Sequence, residues 1–183
     1  RKAQSGGLLM LTGVHEIDWM RAMAGDIQAV NAVAGAQVDS RYDFADSMHV
    51  SMQFKSGAIG SLNVSLAYPL LRYRQVNGAE VVTNGGGMRL VPSFDRADLY
   101  WQRSTDTTAT HEPFLADANG DPVGVDPAFR KELGDFVAWV MDGTAPCLTW
   151  REGLSCVEAM EAANLSSAQG GKWIELPLQN NGK

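Results

Sequence analysis

His15 follows Gly13 and Val14, and Asp18 stands three residues further on. On the first turn of a helix the two would share one face, where the carboxylate can orient or charge-stabilise the imidazole. The positive end of the helix dipole opposes an imidazolium, which suits a group that takes up and releases a proton near neutral pH. The same spacing equally describes a helix-capping histidine beside a solvated aspartate. A second cluster, Tyr68-Pro69-Leu70-Leu71-Arg72-Tyr73-Arg74, gathers two arginines and two tyrosines around the end of a predicted strand. Arg72 there can clamp a carboxylate or a hydroxylated ring, or simply meet solvent. His49 reads as a sheet-face residue and His111 as a solvated loop residue. His15 and Asp18 have no third partner at ligand spacing, so no metal is expected.

The elements that must position these groups are legible from hydrophobic period. Val14 to Ala24 reads as a short helix stopped by Gly25. Met48, Val50, Met52 and Phe54 alternate with His49, Ser51 and Gln53, the two-residue repeat of a strand buried on one face. Lys55-Ser56-Gly57 turns the chain, and Leu62, Val64 and Leu66 complete an antiparallel hairpin. Further strands are expected at 29–33, 72–76, 80–83, 88–91 and 99–103, punctuated by Asn77-Gly78 and Asn84-Gly85-Gly86-Gly87. Residues 104–125, rich in Thr, Asp, Gly and Pro, read as a long surface excursion.

Helices return near the end of the sequence. Asp126 and Pro127 open one that carries Phe129, Leu133, Phe136 and Val140 at 4-3-4 spacing and stops at Gly143. Thr149 and Glu152 form a capping-box pattern for the last helix, which runs to Gly170-Gly171, and residues 173–176 return as a strand. Trp19, Trp139, Trp150 and Trp173 read as packing residues, and Trp101 as facing the open side of the sheet. Strands gathered between helices predict an α+β fold: an open, mainly antiparallel β-sheet with helices packed on one face.

Composition narrows the possible partners. The chain has 183 residues, 45% of them hydrophobic, enough for a core without disulfide or metal staples. Fifteen Lys and Arg against 21 Asp and Glu give a net charge of −6, which repels polyphosphate and argues against a nucleic-acid partner. No apolar run reaches the roughly 18–20 residues of a membrane span, so no membrane partner is expected. Cys147 and Cys156, nine apart without a CxxC, read as reduced thiols of a cytoplasmic protein. Arg1-Lys2 before an apolar stretch mimics a signal peptide, but His15, Glu16 and Asp18 occupy the place of a cleavage site. A start without Met that opens directly into a dense motif reads as an internal piece of a longer protein.

The segment Gly6-Gly7-Leu8-Leu9-Met10-Leu11-Thr12-Gly13-Val14-His15-Glu16-Ile17-Asp18 resembles the motif that opens the C-terminal domain of the glucose–fructose oxidoreductase/inositol dehydrogenase (Gfo/Idh/MocA) family. Phe54–Ser61, Val76-Asn77-Gly78, Phe129–Gly143 and Pro146–Gly171, with Ser166-Ser167-Ala168 near the close, resemble that family's later hairpin, turn and terminal helices in order.

The resemblance implies that residues 1–183 are the substrate-binding and oligomerisation half of an NAD(P)-dependent oxidoreductase. The N-terminal Rossmann half, with its catalytic lysine, would be absent. Hydride would pass between nicotinamide and a small hydroxylated substrate such as a sugar, polyol or cyclic diol. NAD or NADP would belong to the full-length parent, with none bound by this chain alone. Asn84–Gly87 is expected to be a plain turn, since it lacks the G-x-G-x-x-G spacing and precedes a strand.

His15 falls on the family's proton-transfer histidine, with Asp18 supporting it and Arg72 anchoring substrate. The family's motif aspartate falls on Leu11, an apolar replacement. Thr12 beside it offers a substrate-binding hydroxyl that cannot act as a base near pH 7. Homo-oligomers are expected to form through the open sheet face. Two alternatives stay open: a binding or assembly module that kept the fold and lost catalysis, and an NAD-using relative with a non-redox net reaction.

Overall fold

A computed structural model describes residues 6–66, 78–92, 97–114, 125–146 and 148–178. The chain divides into two compact units, the first made of residues 1–67 with 147–183 and the second of residues 68–146.

In the first unit a π-helical turn, Leu9–Gly13, runs without a break into helix α1, Val14–Ala24. Gly25, at φ 86°, ends α1 and donates its N–H to the Arg21 carbonyl at 2.8 Å. Strands β1 (Ile27–Ala34), β2 (Ser47–Phe54) and β3 (Ile59–Ser65) follow as an antiparallel meander. The alternation expected along β2 is present: Met48, Val50, Met52 and Phe54 are buried, and His49 and Gln53 are exposed. Gly60 leaves room where Phe54 and Met20 converge. A Cβ at that position would lie 2.5 Å from the Met20 methyl and 3.1 Å from the Phe54 ring. The last helix, Trp150–Ala168, is labelled α3, and strand β8 is Ile174–Glu175, giving the sheet order β3-β2-β1-β8.

Helix α3 starts with the expected capping box. The Glu152 carboxylate accepts from the Thr149 N–H at 2.8 Å, and the Thr149 hydroxyl accepts from the Arg151 N–H at 3.3 Å. Its buried side chains are small: Cys156, Ala159, Ala162 and Ala163, with Met160 the one large residue among them. That lets the helix lie close on β1, where Val30 and Ala32 are fully buried. Strand β8 pairs with β1 only at Ala29 and Val30, leaving β1 with open backbone donors beyond. Two serines of α3 take them. The Ala32 N–H donates to Ser166 Oγ at 2.8 Å and the Ala34 N–H to Ser167 Oγ at 3.1 Å. Ser166 in turn donates its proton to the Lys172 carbonyl.

A buried carboxylate fixes the connection between β1 and β2. Asp46 Oδ2 accepts the Asp39 N–H at 2.6 Å and the Val38 N–H at 2.8 Å, and Oδ1 accepts the Ser47 hydroxyl at 3.3 Å. Its carbonyl also receives the Leu66 N–H. The Asp39 N–H is the main cause holding this carboxyl below its ordinary range. Burial works in the opposite sense and is outweighed.

The second unit contains a four-stranded antiparallel meander in chain order: β4 (Ala79–Thr83), β5 (Gly86–Pro92), β6 (Ala97–Arg103) and β7 (Thr110–Phe114). The two residues Asn84 and Gly85 close the β4–β5 hairpin. Strand β7 corrects the expected loop at 104–125. Its five residues THEPF hold a proline and three polar side chains, a pattern without the apolar alternation of a half-buried strand, yet one that an edge strand tolerates. The architecture is α+β with antiparallel sheets, as expected, and among the described residues the strands form two four-stranded sheets. Helix α2, Val125–Asp142, belongs to this unit as well.

The tryptophans depart from expectation: Trp139, Trp150 and Trp173 are 50%, 71% and 47% exposed. A large amphipathic ring is compatible with either a core or a surface, and residue type alone does not choose between them. The expected strand at 72–76 lies outside the described residues.

Two outcomes follow from these contacts. Ser166→Ala should lower unfolding stability by about 1–3 kcal/mol in denaturant titration, because the buried Ala32 N–H loses its acceptor. Asp46 binds its proton less readily folded than unfolded. It therefore stabilises the fold above the ordinary aspartate value of about 3.9, and that contribution disappears as pH falls through its lower folded value. Asp46→Asn should remove this part of the acid dependence, measured as denaturation midpoints from pH 6 downward.

Candidate functional site

Gly6 and Gly7 take φ values of 75° and 93°, the left-handed region that glycine enters freely, and so turn the chain into the π-helical segment. Leu8 and Leu9 are buried and anchor it against the core. A π-turn widens the helix locally, and such turns recur at functional sites. The next residues present Leu11, half exposed, and His15, exposed, one turn apart on neighbouring faces of the same helix. Among the described residues no hydrogen bond holds the His15 ring.

Thr12 is half-buried, and its hydroxyl donates to the Leu8 carbonyl at 3.0 Å. Its proton is thus engaged within its own turn, while its oxygen can still accept from a ligand. Asp18 is on α1 as expected but is not bonded to His15. Its Oδ1 accepts the Cys156 thiol at 3.7 Å, across the packing contact with α3. Arg21 joins the same group, donating to the Glu152 carbonyl at 3.0 Å, to Cys156 Sγ at 3.7 Å and to Asp26 at 3.3 Å. Burial opposes the charge of Arg21, but Cys156 and Asp26 outweigh it and hold the guanidinium above its ordinary value. Burial pushes the Cys156 thiol up, with Arg21 pulling the other way. This network cements α1 to α3. Arg72, with Tyr68, Tyr73 and Arg74, lies outside the described residues, as does Cys147.

Glu16 was not singled out by its spacing. One of its carboxylate oxygens, Oε2, is enclosed without a hydrogen-bond partner among the described residues, next in sequence to His15. Burial of one oxygen is a property of the folded surroundings and leaves no mark in the sequence.

The face of the first sheet that points away from α3 mixes hydrogen-bonded polar groups with the exposed apolar side chains of Val33 and Ile59. His49 Nδ1 donates to Asn63 Oδ1 at 2.8 Å, His49 Nε2 accepts the Ser51 hydroxyl at 3.1 Å, and Ser47 and Ser65 hydroxyls meet at 2.8 Å. Strands β1, β2 and β3 contain no Asp, Glu, Lys or Arg. His111, by contrast, corrects its expected role as a solvated loop residue. It stands on β7, donates from Nε2 to Asp98 Oδ1 at 2.8 Å, and stacks on Tyr100.

No group of three or more His, Cys, Asp or Glu among the described residues could hold a metal. No helix among them is long and apolar enough to cross a membrane.

Residues 1–176 match the family described as the oxidoreductase family, C-terminal alpha/beta domain, GFO_IDH_MocA_C. The chain belongs to the Gfo/Idh/MocA oxidoreductase family. No curated protein matches it. Among solved structures, the chain resembles an NAD binding oxidoreductase from Klebsiella pneumoniae, with TM-score 0.76 and 18% identity over 98% of this chain and 53% of that one. It also resembles an oxidoreductase from Agrobacterium radiobacter in complex with NAD+, L-tartaric acid and magnesium, with TM-score 0.74 and 17% identity over 92% of this chain and 48% of that one. A third is the aldose-aldose oxidoreductase of Caulobacter crescentus complexed with glycerol, with TM-score 0.73 and 20% identity over 93% of this chain and 48% of that one. The chain therefore spans about half the length of these Gfo/Idh/MocA structures, and their likeness establishes the fold.

Proposed function

We propose that residues 1–183 act as the substrate-binding and assembly half of an NAD(P)-dependent oxidoreductase that moves hydride between a small hydroxylated substrate and nicotinamide. The observation that carries this reading is His15: an exposed imidazole with no hydrogen bond among the described residues, delivered by a glycine turn and a π-turn to the head of α1. Glycerol and L-tartaric acid, bound by two of the similar structures, are small hydroxylated molecules of the class envisaged.

The glycine run Asn84–Gly87 joins two antiparallel strands and opens no helix, so it does not fit a dinucleotide phosphate. The nicotinamide would be held by a partner domain and would supply the hydride acceptor. This chain's part is proton handling and positioning. The His15 ring would take the proton of a substrate hydroxyl as its carbon is oxidised, and return it in the reverse direction. The Thr12 oxygen would accept from a neighbouring substrate hydroxyl. Asp18 would act indirectly, holding α1 against α3 through Cys156, and Arg72 would anchor the substrate. A cytoplasmic location is part of the proposal, supported by the free thiol of Cys156.

The same reading assigns the open face of the first sheet to a second copy of the chain. Three adjacent strands without a formal charge are unusual for a surface left to water, and charged residues are depleted at the centres of interfaces. A rival reading, an assembly module without catalysis, draws on Leu11, an apolar side chain 48% exposed one turn from His15.

Two experiments on the complete protein test these statements. His15→Ala should lower kcat/KM by about 100-fold or more with either nicotinamide cofactor, while the melting temperature stays unchanged. Unaltered turnover would defeat the role given to His15 and favour the assembly module. Cofactor that cycles without net NADH would instead indicate a non-redox outcome. Ser51→Lys, which places a charge on the open face, should shift sedimentation toward the dissociated species. An unchanged distribution would exclude that face as the interface.

A further inference from the structure

The second unit carries a feature that the proposed reaction does not use. Strand pairing sets Glu80, Arg89, Tyr100 and His111 side by side across β4, β5, β6 and β7. Two residues along each strand, Val82, Gly87 and Gln102 form the next row on the same face. Gly87, in the middle of that row, has no side chain. A Cβ there would lie 3.2 Å from the Val81 carbonyl oxygen, tighter than ordinary contact, so the position favours glycine. The result is a depression of about 340 Å³ over Gly87, lined by Glu80, Val82, Arg89, Tyr100 and Gln102 among others. That volume lies within the range of small-molecule sites.

Tyr100 is braced from behind. Its ring stacks on His111 with centroids 4.5 Å apart and planes 10° from parallel. His111 donates to Asp98, which is 7% exposed. A buried carboxylate thus orients an imidazole, and the imidazole holds the phenol ring at the wall of the depression. Supporting contacts of this kind are how a binding site keeps one geometry. Gln102 is fixed as well, its amide donating to the Asp106 carbonyl at 2.8 Å.

Glu80 and Arg89, by contrast, stand directly opposite each other, yet no ion pair or hydrogen bond holds either one among the described residues. A simple anion approaching Arg89 meets the Glu80 carboxylate, and a simple cation approaching Glu80 meets the guanidinium. A ligand that carries both charges close together satisfies both groups. We propose that this depression binds a small zwitterion of α-amino-acid type. Its carboxylate accepts two parallel bonds from Arg89, its ammonium donates to Glu80, and its apolar part rests against the Tyr100 ring.

The full chain, labelled with nitrogen-15, tests this by titration with glycine, L-leucine, sodium acetate and methylammonium chloride in separate experiments. Glycine and L-leucine should move the Gly87, Arg89 and Tyr100 amide signals saturably, L-leucine at the lower concentration, and the two single-charge compounds should not. Arg89→Ala and Glu80→Gln should each raise the L-leucine dissociation constant about tenfold or more, and Arg89→Lys should weaken it less. Amino acids that move these signals no more than acetate does would overturn the proposal. Saturation by acetate alone would overturn it too, by showing a plain anion site. A third contrary result would be a lowered melting temperature in Glu80→Gln that is recovered in the double variant with Arg89→Ala, without any ligand shift. That would mean the two residues serve each other.

Discussion

The first unit exists because α3 lies on β1 and supplies what that strand lacks. Ser166 and Ala32 are 134 positions apart in sequence, and the hydroxyl of one pairs the backbone donor of the other. Without that bond β1 would end, past its two-residue pairing with β8, as a buried edge with unpaired N–H groups. Such groups cost about 1–3 kcal/mol each when left without an acceptor. Apolar packing alone would tolerate sliding of α3 along the sheet, since alanines offer little shape to lock. The serine bonds are directional and set the register. Once α3 is fixed, its other contacts follow: Cys156 reaches Asp18, and the Glu152 carbonyl receives Arg21, so the helix that carries His15 is held to the same frame.

The parts of this arrangement that the sequence made legible are those governed by local rules. The β2–β3 hairpin could be read because one face is buried and the other wet, which forces a period of two on the residue types. The start of α3 could be read because Thr149 and Glu152 satisfy each other's backbone donors within a single turn. Gly25 could be read because only glycine ends a helix at that φ without strain. Contacts between distant segments left no such mark. Nothing near Ser166 in sequence reveals that it closes a strand edge, and nothing near His111 reveals Asp98. Strand β7 was hidden for the same reason. An edge strand with a proline and a histidine lacks apolar alternation, and its pairing comes from the neighbour rather than from its own residues.

The candidate site divides along the same line. His15 could be found because a glycine-rich approach and a helix head have a sequence signature, shared with the family. The role of Asp18 could not be read from its spacing. A carboxylate at i+3 can reach the histidine, but it can also reach a neighbouring helix, and here it accepts the thiol of Cys156. Helical spacing establishes which groups share a face, and tertiary packing decides which partner each group takes. Glu16 shows the limit most directly, since enclosure of one carboxylate oxygen depends on everything folded around it.

The freedom of the His15 ring has a consequence for any chemistry it performs. A general base works when it is held within hydrogen-bond distance of the proton it removes, and an unrestrained side chain populates several rotamers. No group on α1 restrains the imidazole, because Asp18 is engaged elsewhere and Leu11 offers no polar atom. On the proposed reading, the restraint must come with the substrate. A hydroxylated molecule that bonds the ring would select one rotamer, so part of its binding free energy goes into ordering the catalytic group. A histidine arranged in this way discriminates through the ligand's own hydroxyl pattern: a molecule that lacks the second hydroxyl can occupy the site and still leave the base unaligned. Selectivity would then show itself in turnover more than in affinity, the behaviour expected when interactions form fully only in the transition state.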